Sequence, residues 1–252
     1  MLNALIPIDF SGTAYNAMKY AFEFQKDFNF HVTCINAYKG SKPRVEMKRL
    51  KNKFTNEFDF ELIPGNLYSA FDKYITANKV DIIIMGTNEA KGLINLFKRS
   101  NASRIMMQTS IPILIIPEHV KYENISKIVW ASDLQPVSNL TSLGFIKDIA
   151  LELESTVRIA HVKTSNEKST SDVKIHQSWE DSFFGKDVKH SFKKIRKSSV
   201  IKGINYYLDQ KDDNNLLVLT RREHGLIDKL FKKSHAEEFA KEPRLPVMII
   251  HE

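Results

Sequence analysis

Cysteine is nearly absent from this 252-residue chain, where Cys34 stands alone. One thiol cannot close an internal disulfide or build a metal finger, and such rarity is what a protein of a reducing compartment shows. Long apolar runs are missing as well. The cleanest stretches, such as Ile111 to Ile116, fall far short of the roughly 18 residues that a membrane-spanning helix needs. Met1 to Asp9 holds no cationic segment followed by a long apolar stretch, so no signal peptide is expected. Three strings of enzyme chemistry are also lacking: the phosphate loop Gly-x4-Gly-Lys-Ser/Thr, the Gly-x-Ser-x-Gly elbow and the His-Glu-x-x-His metal helix. These absences predict a cytoplasmic protein with no membrane partner, no catalytic residues and no metal site.

What is present is the composition of a packed globule, 42% hydrophobic, 27% charged and 10% aromatic. The length suits one large domain or two of about 126 residues. A net charge of +7 invites a nucleic-acid reading, but it divides evenly. Residues 1–118 carry 15 basic and 11 acidic side chains (+4), and the remainder carries 22 and 19 (+3). The densest cluster runs from Lys186 to Lys202 and reads either as a phosphate-binding patch or as a solvated strand edge and helix start. No aromatic interleaving or recognition motif accompanies it, which argues against nucleic acid as a partner.

The chain repeats itself. Asp9 closes the apolar run Ala4-Leu5-Ile6-Pro7-Ile8 and precedes a helical stretch, 12–28, whereas Asp133 closes Ile128-Val129-Trp130-Ala131-Ser132 and precedes 137–153. That offset is 124 (133 − 9). Further on, Leu96-Phe97-Lys98-Arg99-Ser100 returns as Leu230-Phe231-Lys232-Lys233-Ser234, and Ile111-Pro112-Ile113 returns as Leu245-Pro246-Val247, both at offset 134 (230 − 96; 245 − 111). Constant offsets in one order mark two copies, the second enlarged by about ten residues in a polar loop near 163–185, with a short helix around Ile175 to Phe183. The expected domains are 1–118 and 126–252, joined by a linker over 119–125.

Within the first copy, β-rich runs near 2–8, 31–37, 57–62, 80–86 and 111–116 alternate with helical periodicity near 12–28, 44–54, 67–78 and 101–108. In the second, strands fall near 126–132, 156–162, 188–195, 215–220 and 246–250. Unbroken apolar strands such as Ile82-Ile83-Ile84-Met85 mean βαβ units around a buried parallel sheet. Each half is therefore expected to be a five-stranded α/β sandwich. In open parallel sheets, ligands bind beyond the carboxyl ends of the strands. The residues placed there are Asp9 and Asp133 after the first strand, Gly86 and Thr220 after the fourth, and Ser100 and Ser234 where the last helix starts. A phosphate could rest on that helix start, but Ser234 with Glu237 also spells a capping box.

Leu5-Ile6-Pro7-Ile8-Asp9-Phe10-Ser11, Asp81-Ile82-Ile83-Ile84-Met85-Gly86-Thr87 and the Ile-Pro-Ile-Leu-Ile-Ile strand together resemble a universal stress protein domain. The second half resembles a diverged copy, so the likeness spans almost the whole chain as a tandem pair. It implies the adenine nucleotide alpha hydrolase-like, Rossmann-like sandwich. Nucleotide-binding members carry Gly-x2-Gly-x9-Gly-Ser/Thr, whose glycines let backbone amides approach phosphates. Here Gly86 and Ser100 are kept, while Glu89 and Arg99 replace the other two glycines; the second half reads Thr220, Glu223, Lys233 and Ser234. Glutamate where a triphosphate would lie adds like-charge repulsion. The pairs Glu89–Arg99 and Glu223–Lys233 are expected either to bridge the emptied phosphate site or to be unrelated surface charges. By resemblance, Pro7, Ile8, Ile35 and Met85 would wall an adenine base, with core packing as their alternative role. Asp9 would meet the base or ribose, and Gly86, Ser100 and Asn101 would lie toward the phosphates.

The sequence therefore predicts a non-enzymatic stress-response or regulatory protein of the universal stress type with a degenerate nucleotide site. The alternative is an ATP- or AMP-binding switch, or a weak ATPase, using the first half. His224 and His235 form no recognised ligand pair, and Cys34 reads as a buried structural thiol. Domains of this family commonly pair through their last strands, which predicts that Ile113 to Ile116 meets Val247 to Ile250 within the chain, and that the chain forms a homodimer or meets a regulatory protein partner.

Overall fold

The computed structural model describes residues 1–87, 105, 109–134, 140–164, 181–210, 216–221 and 245–251. Ten strands run in chain order: β1 (Leu2–Pro7), β2 (Phe30–Tyr38), β3 (Asp59–Pro64), β4 (Ile82–Thr87), β5 (Ile113–Pro117), β6 (Lys127–Ala131), β7 (Thr156–Lys163), β8 (His190–Arg196), β9 (Leu216–Arg221) and β10 (Val247–His251). The described helices are α1 (Gly12–Phe24), α2 (Arg44–Lys53), α3 (Leu67–Ala77), α4 (Leu140–Glu152) and α5 (Val200–Asp209). The strands form one sheet in the order β3-β2-β1-β4-β5-β10-β9-β6-β7-β8. Within each set of five the pairing is parallel, and the two sets meet where β10 pairs β5 antiparallel, Met248 opposite Leu114. The expected pair of five-stranded sheets is thus one continuous ten-stranded sheet, with the strand order reversing between β1 and β4 and again between β6 and β9.

Local chemistry explains these elements. Ser11 caps α1 by accepting from the Ala14 amide, and Ala14, Ala17, Met18, Ala21 and Phe22 then recur at helical spacing and are buried against the sheet. The helix ends at Phe24, four residues earlier than the periodicity predicts, because Asp27 and Phe28 turn back to the Phe24 carbonyl and lead into β2. Asn66 and Ser199 cap α3 and α5 in the same way, each accepting from the amide three residues on.

Alternation along the strands sends side chains to two cores, one on each face of the sheet. The first is aromatic-rich and continuous across both halves, since Phe28 beyond α1 meets Phe145 of α4 edge-on at 6.0 Å. The second is aliphatic and lies under α3 and α5. Cys34 is fully buried in the first core, and burial pushes its thiol pKa up, which suits packing and not nucleophilic attack. No described helix is long and apolar enough to cross a membrane.

Candidate functional site

The carboxyl ends of β1, β2 and β4 and the start of α1 form the position singled out above. Ile8 continues the β1 pairing by donating to the Ile35 carbonyl at 2.8 Å, and the chain then reverses through Phe10, held in the left-handed region at φ 62°. That turn lets the Asp9 carboxylate reach forward. One of its oxygens accepts from the Ser11 amide at 2.9 Å and also from the Ser11 hydroxyl, which itself caps α1. Asp9 therefore serves the helix start, although it remains exposed. The second half repeats the turn: Leu134, 124 residues after Phe10 (134 − 10), lies at φ 57°.

A second repeated device lies one strand over. The buried Asn36 amide donates to the Ile8 carbonyl at 2.7 Å, and the buried His161 Nδ1 donates to the Ser132 carbonyl at 3.1 Å. Both hold the last carbonyl before the acidic residue, at matching places on β2 and β7. His161 lies outside the repeated strings of the first and last strands, so those strings alone do not single it out. Asn36 Oδ1 is buried with no hydrogen-bond partner among the described residues.

Of the four residues that would wall a base, three share a face. Pro7 pairs with Ile35 and Met85 with Ile115, and Ile35 and Met85 belong to the aliphatic core under α3. Ile8 points to the opposite, aromatic face. Ser100 and Asn101 lie outside the described residues, as do Glu89, Arg99, Glu223, Lys233, Ser234, His224 and His235.

Gly86 has a structural reason of its own. A Cβ built on it would sit 2.1 Å from the Thr13 carbonyl oxygen and 3.2 Å from the Ala14 amide nitrogen. The missing side chain is what lets the first turn of α1 settle onto β4. Asn16 then fixes the helix by donating to the Pro117 and Val120 carbonyls, each at 3.0 Å. In the second half the matching residue is Thr220, whose hydroxyl accepts from the buried Trp130 indole at 2.9 Å.

Chemistry at these strand ends is sparse. Among the described residues no group of three His, Cys, Asp or Glu could hold a metal ion. Among the described residues, burial pushes the Tyr20, Cys34 and Tyr122 pKa values up, and none of these groups stands at the strand ends as an acid or base. A shallow cleft of about 260 Å³ opens at the opposite, amino ends of the strands, beside the His31–Asp59 pair (2.9 Å) and Lys79.

Solved structures place this architecture. A universal stress protein from Archaeoglobus fulgidus superposes with a TM-score of 0.69 over 99% of this chain and 96% of its own, at 14% identity. The fold is the universal stress protein fold. A functionally unknown protein from Pseudomonas aeruginosa shares it (TM-score 0.62, 11% identity, covering 99% and 92%). So does the cytoplasmic domain of a prokaryotic cation chloride cotransporter (0.55, 10%, covering 98% and 94%). No family model and no curated protein matches the sequence. A universal stress fold found also in a transporter domain does not by itself fix what the fold is used for.

Proposed function

We propose that this chain is a cytoplasmic, non-enzymatic regulatory protein of the universal stress type, with a nucleotide position that is degenerate in both halves. The observation that carries this reading is the packing of Gly86: the one glycine of the phosphate string that survives has its missing Cβ accounted for by Thr13. Three further features support it. The Asp9 carboxylate is engaged by Ser11 at the start of α1, Thr220 stands at the place of Gly86 in the second half with its hydroxyl bonded by Trp130, and Glu89, Arg99, Glu223 and Lys233 stand where the family has glycines. On this reading the residues present supply part of a base wall (Pro7, Ile35, Met85) without a phosphate cradle to go with it.

Thermal unfolding with Mg-ATP or AMP tests the proposal. A ligand at about 100 times its Kd stabilises by about 2.7 kcal/mol, which is roughly 5–10 °C for a chain of this size. The expected shift at millimolar nucleotide is below about 1 °C. A shift of several degrees that disappears in Asp9→Asn would instead establish the ATP- or AMP-binding switch.

A further inference from the structure

The two outer strands of the sheet carry opposite charge. On β3 and its approach, residues 55–64 hold Glu57, Asp59 and Glu61 and no cation, and all three carboxylates are exposed. On β8 and its flanks, residues 188–197 hold Lys189, Lys193, Lys194, Arg196 and Lys197 and no carboxylate. These strands occupy corresponding places in the two halves, so Glu61 and Lys193 are counterparts of opposite sign. Neither has an ion-pair partner among the described residues.

Topology fixes how such edges could meet. The two strand sets run in opposite directions, so β8 of one copy and β3 of the next can pair antiparallel as a continuation of the sheet, with like faces on one side, once the next copy is rotated about the axis across the strands to follow the sheet twist. Backbone polarity agrees. Val157 donates to the Lys189 carbonyl and Lys197 to the Lys163 carbonyl, so odd-numbered residues of β8 face β7, and the backbone groups of Phe192, Lys194 and Arg196 point outward. On β3, Gly65 donates to the Tyr38 carbonyl, which leaves the groups of Phe60 and Leu62 on the outer side. A register that sets Lys193 against Glu61 also sets Phe192 against Leu62, both partly exposed apolar residues.

We propose that copies of this chain associate head to tail, the basic edge of β8 pairing antiparallel with the acidic edge of β3 of the next copy. Pairing of β8 with β8, or β3 with β3, would oppose like charges, which guards each edge against its own kind. The contact is heterologous, so it extends as an open series and does not stop at a dimer.

Sedimentation velocity and light scattering test this with the intact chain. At about 20 mM salt, where screening is weak, the mass should climb with protein concentration, and at about 0.5 M it should return to that of a single chain. Two charge-reversed variants, Glu57→Lys/Glu61→Lys and Lys193→Glu/Arg196→Glu, should each stay single-chain at low salt, and their equimolar mixture should associate again. Circular dichroism verifies folding, and Glu57→Gln/Glu61→Gln reads the same loss if a reversed variant does not fold. A single-chain mass at every concentration in low salt would overturn the proposal, as would a variant that associates alone or a mixture that does not recover.

Discussion

Alanine at position 86 is expected to be among the most damaging single-methyl changes in this chain. A Cβ placed 2.1 Å from a backbone carbonyl oxygen cannot be relieved by turning a side chain. Either α1 lifts off β4 or the strand bends, and both moves break other contacts. The Asn16 bonds to the Pro117 and Val120 carbonyls hold the helix on one side, and its buried stripe of Ala14, Ala17, Met18 and Ala21 holds it from below. Overpacking in a responsive core costs about 1–3 kcal/mol, and here the cost should reach about 3 kcal/mol or more because backbone meets backbone. Urea unfolding should show a clear drop in midpoint with an unchanged slope. Gly144→Ala is the comparison: among the described residues outside its own helix turn nothing lies within 4 Å of the added Cβ and it sits inside α4, so it should be neutral or stabilising by up to about 1 kcal/mol. Equal losses at 86 and 144 would remove the packing explanation for Gly86, and with it the main support for a degenerate nucleotide position.

The second large effect is a coupling. Gly203 and Ala70 each stand four residues past the cap of α5 and α3, and each donates to its cap carbonyl. A Cβ on Gly203 would come within 2.4 and 2.5 Å of the two Val162 methyls. The first half has Ala37 at the place of Val162 and Ala70 at the place of Gly203, so one half pairs two small residues and the other pairs a large residue with none. Gly203→Ala alone should cost about 1–3 kcal/mol through overpacking, and Val162→Ala alone about 2 kcal/mol through the cavity it leaves. Combined, they recreate the Ala–Ala pair of the first half and should cost less than their sum by about 1–3 kcal/mol. Strict additivity in a double-mutant cycle would show that the two positions do not share this space.

Most of the fold was legible because it rests on periodicity and repetition. The ten strands fall within a few residues of the β-rich runs, since each run is bounded by residues that must cap or turn, such as Ser11 after β1 and Asn66 after β3. The site was harder to read. Gly86 in the sequence looks the same whether its missing Cβ admits a phosphate or a helix, and only the approach of Thr13, distant along the chain, distinguishes them. Asp9 posed a similar ambiguity, which its bonds to Ser11 address. His161 could have been found by carrying the repeat through β2 and β7, where it takes the place of Asn36. Trp130 with Thr220 could not, because an indole and a hydroxyl ninety residues apart announce nothing until the sheet brings them together.

The antiparallel junction of β5 with β10 has a consequence for dilution. Both strands belong to one polypeptide, so their ladder closes as a unimolecular event, at an effective concentration of the order of millimolar for linked partners. The aromatic core that bridges the junction through Phe28 and Phe145 shares that advantage. At high salt, where contacts between the charged outer strands are screened, the unfolding midpoint should therefore stay constant across a hundredfold range of protein concentration, whereas a sheet assembled from two separate chains would lose stability as it is diluted.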